Sequence, residues 1–147
     1  MGVRTTPYGD ARKSGEMTVA RVLVVDDDMT FVRRVTVSLG SLAEVENLST
    51  GDDLLGFVQL WRPEVIVLNL LLDDRDGFQL LDELLSIKLS PAPYVLCSTS
   101  GPAAMTRVCP CDKWPVGTIS RGTKLHQIRE TVQAVLESRS ELLAAVS

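Results

Sequence analysis

Short, mainly apolar runs alternate along the chain with longer stretches in which apolar residues recur every three or four positions. "VARVLVV" (residues 19–25) is rich in β-branched residues and is followed by three aspartates, the pattern of a strand buried on both faces. Asp28 can then cap a helix whose Phe31, Val32, Val35 and Leu39 share one face. "AEVENL" (43–48) alternates weakly and predicts a short second strand. Asp52 or Asp53 opens a second helix with Leu54, Leu55, Val58 and Trp61 inward, stopped by Pro63. "EVIVLNL" (64–70) is a third strand, and "GFQLLDELLSIKL" (77–89) a third helix with Phe78, Leu81, Leu84 and Leu85 at helical spacing. "PYVLCST" (93–99) and "VGTIS" (116–120) give two more strands. A last helix runs from about Thr123 toward Val146, with Leu125, Ile128, Val132, Val135 and Leu136 as its core stripe.

Two-sided apolar strands joined by helical crossovers predict an α/β fold: a five-stranded parallel sheet, doubly wound, with helices on both faces. Between strands four and five, "GPAAMTRVCPCDKWPVG" should hold a helix. Pro102, Pro110 and Pro115 confine it to about 103–108, so this fourth helix is read as degenerate. Trp114, in that proline-rich loop, is read as a plug over the sheet edge in preference to an exposed anchor. Residues 1–18 read as a flexible tail, 19–138 as the folded domain and 139–147 as an extension of the last helix. There Leu142, Leu143 and Val146 would form an apolar patch for self-association or partner docking.

With 147 residues and 45% hydrophobic content, the chain is long enough for one well-buried core. A net charge of −4 without a basic run gives nucleic acid nothing to bind. No apolar run reaches the roughly 20 residues of a membrane span, and the start lacks a secretory core, so the expected place is the cytoplasm. The opening "MGVRTT" fits the loose myristoylation pattern, but so short a match arises by chance. The three cysteines, Cys97, Cys109 and Cys111, and the single histidine, His126, do not make a metal set or a nucleophile pair; the cysteines read as free thiols.

Open parallel sheets carry their working residues in the loops beyond the carboxyl ends of the strands. The candidates there are Asp26 and Asp27, Asn69, Ser98 and Thr99, and Arg121. Adjacent acids repel each other unless a cation offsets them, so Asp26 and Asp27 read either as a site for a hard ion such as Mg²⁺ or as solvated turn residues beside the cap Asp28.

Taken together, "VLVVDDD", "VIVLNLLLDDRDG", "VLCSTS" and "GTISRG" resemble the receiver domain of bacterial response regulators, over roughly residues 20–137. The resemblance implies a flavodoxin-like receiver fold and a role in two-component signal transduction or phosphorelay. In that family an acidic pair and an aspartate ending strand three hold Mg²⁺, and that aspartate accepts a phosphoryl group. A Thr or Ser after strand four and a Lys after strand five contact the phosphoryl oxygens, and an aromatic in strand five moves with the Thr. Asp26 and Asp27 match the acidic pair, Asn69 the acceptor, Ser98 the Thr or Ser, Thr118 the aromatic and Arg121 the Lys. Asn69 and Gly77 keep the family's spacing of eight.

Four positions depart from the family's pattern. An amide oxygen carries no full charge, so Asn69 should not form an acyl phosphate, and it removes one carboxylate from the ion site. Asp73 stands where a proline usually follows strand three, Arg121 replaces a compact ammonium with a planar fork, and Thr118 replaces the aromatic. The expectation is a pseudo-receiver: no catalytic residue, no enzyme activity, no required cofactor, and Mg²⁺ held weakly, if at all, by Asp26 and Asp27. Its role would be a phosphorylation-independent adaptor for protein partners in a signalling pathway, with a homodimer among its options. With the chain ending at residue 147, output is expected through such a partner. The alternative is a conventional phosphoacceptor receiver whose aspartate was changed to Asn69, or which uses Asp73 or Asp74 in the same loop. A small ligand held by Asp26, Asp27 and Arg121 has no motif behind it.

Overall fold

The computed structural model describes residues 19–73, 76–99 and 114–146. Five strands, β1 (Ala20–Val25), β2 (Ala43–Leu48), β3 (Val65–Asn69), β4 (Tyr94–Thr99) and β5 (Val116–Ser120), form one parallel sheet in the order β2-β1-β3-β4-β5. The helices are α1 (Met29–Leu39), α2 (Leu54–Trp61), α3 (Gly77–Ser86) and the last helix, α4 (Leu125–Val146). This is the expected doubly wound flavodoxin-like sheet, whose strand order reverses direction between β1 and β3. The expected degenerate helix at 103–108, Cys109, Cys111 and the tail 1–18 lie outside the described residues.

Side chains alternate across each strand with a period of two, and that period sorts the core into two layers. Leu23, Val25, Ile66, Leu68, Val95 and Cys97 pack under α2 and α3, together with Trp61, Leu80, Leu84 and Trp114. Val22, Val24, Val65, Val67, Leu96 and Ile119 pack under α1 and α4 with Phe31, Val35, Leu39, Ile128 and Val132. Trp114, at 2% exposure, is buried in the first layer and is not an exposed anchor.

Helix ends follow local chemistry. Asp28 caps α1 by accepting hydrogen bonds from the Thr30 and Phe31 amides at 3.0 and 3.4 Å, and α1 stops at Gly40, whose φ of 50° suits a residue without Cβ. Asp53 stands at the N-cap of α2 but makes no side-chain cap bond, so this acid is a helix boundary without being a cap. The third helix is shorter than its apolar pattern suggests: Ile87 turns to extended backbone (φ −84°, ψ 150°), so α3 ends at Ser86 and not at Leu89. Leu80, absent from the predicted stripe, is fully buried, while Phe78 and Leu85 are half-buried flanks. Leu125 is exposed instead of buried, because α4 begins there and its first turn stands clear of the sheet; Ile128, Val132 and Val135 carry the stripe. Arg139 is still packed, its Nε donating to the Ala92 carbonyl at 3.0 Å. Beyond it Leu143 is exposed, and the side chains of Leu142 and Val146 lie outside the described ones.

Candidate functional site at the carboxyl edge of the sheet

The period that builds the second core layer continues past the strand ends. Asp26 follows Val22 and Val24, Asn69 follows Val65 and Val67, Ser98 follows Leu96, and Arg121 follows Ile119, each in steps of two. Four polar side chains are thereby aimed at one spot above the apolar layer, where the loops open. Asp26 is fully buried, Ser98 is 1% exposed and Asn69 5%. Buried polar groups at this depth must satisfy one another.

They do so around Asp26. Arg121 Nη1 donates to Asp26 Oδ2 at 2.6 Å and to Ser98 Oγ at 3.0 Å. Its Nη2 donates to Asp26 Oδ1 at 3.3 Å and to Asp28 Oδ2 at 3.2 Å. Asp26 Oδ1 also accepts from the Asp28 amide at 2.9 Å and from Asn69 Nδ2 at 3.1 Å. The other end of the Asn69 amide is held as well, Oδ1 accepting from the Leu71 amide at 2.8 Å. Asn69 is therefore fixed in one orientation, donor toward the acid and acceptor toward its own loop.

Burial alone would lower the pKa of the Arg121 guanidinium. The hydrogen bonds and charge attraction of Asp26, and then of Asp28, outweigh that and raise it above its ordinary value. The charge of Arg121 is thus permanent, and the pair with Asp26 is a shielded, forked, charge-assisted contact. The Phe31 ring lies under the guanidinium, 4.4 Å from its carbon, and supplies a cation–π face. From α1, Arg34 Nη1 donates to the Arg121 carbonyl at 3.1 Å and its Nη2 to the Thr123 carbonyl, so the loop that carries Arg121 is tied to the first helix.

The remaining predicted residues stand apart from this cluster. Asp27, half-buried, turns to the β3–α3 loop, where its Oδ2 accepts from the Asp73 amide at 2.8 Å. Thr118 pairs in register with Cys97, one step out of phase with Ile119 and Arg121, and so falls on the opposite face of the sheet. Thr99 buries its hydroxyl without a hydrogen-bond partner among the described residues. Asp74 lies outside them. Sequence reasoning missed two supports. Phe31 carried only a core signal, and Arg34 carried none, being one of two adjacent arginines on a helix. Asp28, read as a cap, is also an ion-pair partner of Arg121.

No family model matches the chain. It is 29% identical, over 90 residues, to the probable transcriptional regulator ycf27 of Cyanophora paradoxa; the match takes in 60% of this chain and 37% of that longer protein. Among solved structures it resembles the signal receiver domain of a putative LuxO repressor protein from Vibrio parahaemolyticus (TM-score 0.71, 18% identity, 88% of this chain and 98% of that one). A CheY-like response regulator receiver domain from Methanospirillum hungatei gives a TM-score of 0.71 at 20% identity, over 84% and 98% of the two chains. The chemotaxis response regulator CheY4 of Vibrio cholerae gives 0.69 at 22%, over 80% and 99%. None of the described helices is long and apolar enough to cross a membrane. The fold is that of the CheY-like receiver domains of response regulators.

Proposed function

We propose that this protein is a receiver-fold signalling adaptor: it binds protein partners in a two-component type of pathway in the cytoplasm, and phosphorylation does not switch it. The observation that carries this reading is the state of Asn69. Attack on a phosphoryl group needs an anionic carboxylate oxygen, and the position holds a neutral amide whose two ends are both committed, to Asp26 and to the Leu71 amide. A receiver without an acceptor has no chemistry of its own to perform, so its use lies in its surfaces, including the exposed end of α4 as a place for a partner or a second copy.

The fold family implies Mg²⁺, and the donor set here does not suit it. Both Asp26 oxygens are engaged by Arg121, Asn69 brings a donor where a third carboxylate would bring an acceptor, and Asp27 turns away toward Asp73. The adaptor reading therefore includes no required cofactor.

A second reading, a conventional phosphoacceptor receiver, has support in the survival of Asp26, Asp27 and Ser98 and in the exposed Asp73 of the same loop. Mass spectrometry after incubation with Mg²⁺ and a small acyl phosphate separates the two. The adaptor should keep its mass. A gain of one phosphoryl group, mapped to residues 64–77, would overturn it.

A further inference from the structure

At the edge of the sheet where the strands begin, opposite the Asp26 cluster, a cavity of about 310 Å³ opens. Arg21 on β1, Glu64 just before β3 and Arg139 on α4 line it with charge. The two arginines are 4% and 8% exposed, depths that arginine reaches only when it is held by partners. Arg21 Nη1 donates to the Trp61 carbonyl, with the guanidinium carbon 5.6 Å from the Trp61 ring centre. Arg139 Nε donates to the Ala92 carbonyl at 3.0 Å. Glu64 serves both: its Oε1 accepts from the Arg21 amide at 3.1 Å, and its Oε2 lies 3.9 Å from Arg139 Nη1. Leu89 and three prolines, Pro63, Pro91 and Pro93, complete the wall with apolar surface. Arg62 stands at the rim in the left-handed conformation (φ 56°, ψ 61°) that glycine normally takes where a helix ends. An L side chain carries strain there, and strain of this kind gathers at binding sites. Arg62 Nε donates to the Gln59 carbonyl at 3.0 Å, and its guanidinium pairs with no carboxylate among the described residues.

We propose that this cavity binds a small organic anion, a carboxylate on an apolar body. Arg62 and Arg139 take the carboxylate, and Leu89 and the prolines take the body. Charge favours it: counting Glu44, the register partner of Arg21 on β2, three guanidinium groups stand against two acids, in a chain whose net charge is −4. A guanidinium fork matches a planar carboxylate, and proline walls with fixed φ are preformed for a ligand. The volume is near the lower end of the range of small-molecule pockets, which suits a compact ligand. The proposal goes beyond the adaptor reading and stands without it, since neither a partner nor a phosphoryl donor enters its test. It gives the fold a chemical input at the edge away from Asn69. Arg139 lies one helical turn before Leu143, so a bound anion sits beside the exposed end of α4.

The test follows the backbone amide resonances of the full chain by NMR at constant ionic strength. The probes are benzoate, hexanoate, the neutral benzamide, and inorganic phosphate, which has charge without an apolar body. Benzoate or hexanoate should saturate with a Kd of about 1 mM, shifting amides near Arg21, Glu64, Ala92 and Arg139. Benzamide and phosphate should each bind at least about tenfold more weakly. Arg62→Gln and Arg139→Gln should each weaken benzoate binding by about fivefold or more. Arg62 is exposed and carries the test if the Arg139 variant does not fold. Glu64→Gln keeps an acceptor for the Arg21 amide but removes the resident acid, and should tighten benzoate binding by about threefold or more. Arg33→Gln, at an exposed position on α1, should leave the affinity as in wild type. The proposal is overturned if neither carboxylate binds below about 20 mM, or if benzamide or phosphate binds as well as benzoate. It is equally overturned if Arg62→Gln and Arg139→Gln leave the affinity unchanged, if Arg33→Gln weakens it as much as they do, or if Glu64→Gln fails to tighten it. Shifts gathered around Asp26 and Arg121 would place the anion at the other edge and overturn it too.

Discussion

Replacing Asn69 by aspartate sets a second carboxylate against Asp26 at the sheet edge, where the two residues are 5% and 0% exposed. The Asn69 Nδ2–Asp26 Oδ1 hydrogen bond of 3.1 Å would become an oxygen–oxygen contact between like charges. At that distance and an effective dielectric of about 20, the repulsion is about 5 kcal/mol, and the lost charge-assisted hydrogen bond adds about 1.5–3. Arg121, 2.6 Å from Asp26, faces the new charge too and takes back part of this. A ceiling also applies, since the introduced carboxyl can bind a proton instead of staying charged. From an unperturbed pKa near 3.9, that route costs about 4 kcal/mol at pH 7 and only about 1.5 kcal/mol at pH 5. The expected loss is therefore about 3–4 kcal/mol at pH 7 in chelator. The folded-state pKa of the introduced carboxyl lies above its unfolded value. The penalty is thus full above the folded value, shrinks as pH falls, and is gone below the unfolded value. Urea unfolding of variant and wild type at pH 7 and pH 5, in chelator, measures it: the gap should narrow by about 2 kcal/mol between the two. Mg²⁺ should restore only part of the loss, because Arg121 still holds Asp26, and phosphorylation by a small acyl phosphate should be slow or absent. Equal stability of variant and wild type at pH 7 would refute the electrostatic reasoning. Rapid Mg²⁺-dependent phosphorylation of the introduced carboxylate would refute the reading of a site changed beyond its acceptor.

Two glycines should respond to alanine with opposite signs. At Gly77 a Cβ would come within 2.4 Å of the Leu70 Cα and 2.6 Å of the Asn69 carbonyl oxygen, both backbone, so Gly77→Ala should cost about 3 kcal/mol or more in urea melts. At Gly56, in α2 with nothing within 4 Å, the same change should stabilise by about 0.5–1 kcal/mol; equal effects at the two positions would discount the clash. Burial pushes the Cys97 thiol up from 9.0 to about 12. Its neutral form then contributes stability that is present below pH 9 and lost as pH rises toward 12, about 1.4 kcal/mol of it by pH 10. The stability gap between wild type and Cys97→Ala should narrow by that amount from pH 8 to pH 10, and a constant gap would contradict it.

How the site was legible follows from the same geometry. A strand's period of two is written in the sequence, so the step from Val24 to Asp26, from Val67 to Asn69 and from Leu96 to Ser98 already aims three polar side chains the way the apolar ones point. Apolar periodicity likewise located the five strands and the four α-helices of the described residues, since each must bury a face. It failed where burial is decided by ends and not by period. Leu125 has the spacing of a core residue but sits in the first turn of α4, and Ile87 has the hydrophobicity of α3 but an extended backbone. Asp53 has the residue type of a cap without its bond, because capping depends on a φ/ψ pair that composition does not fix.

Charge pairing was legible least of all. Arg121 and Asp26 are 95 positions apart, and no local rule joins them; the place of Arg121 in the loop after the fifth strand made it a candidate, and the resemblance to a family with a cation there gave it a role. That resemblance named the position but not the consequence. A lysine would offer a point charge on a flexible stem; an arginine offers two terminal nitrogens in a fixed plane, and here each is already shared between two oxygens. Asn69 fits the same balance of charge. With Arg121 matched to Asp26, a second buried carboxylate would leave the buried charges net negative, whereas an amide donates to Asp26 and keeps the buried charges to one closely matched pair beside the exposed Asp28. Asn69 and Arg121 therefore act on Asp26 together, the amide as a neutral donor and the guanidinium as its counter-charge, and neither adds a negative charge to the buried site.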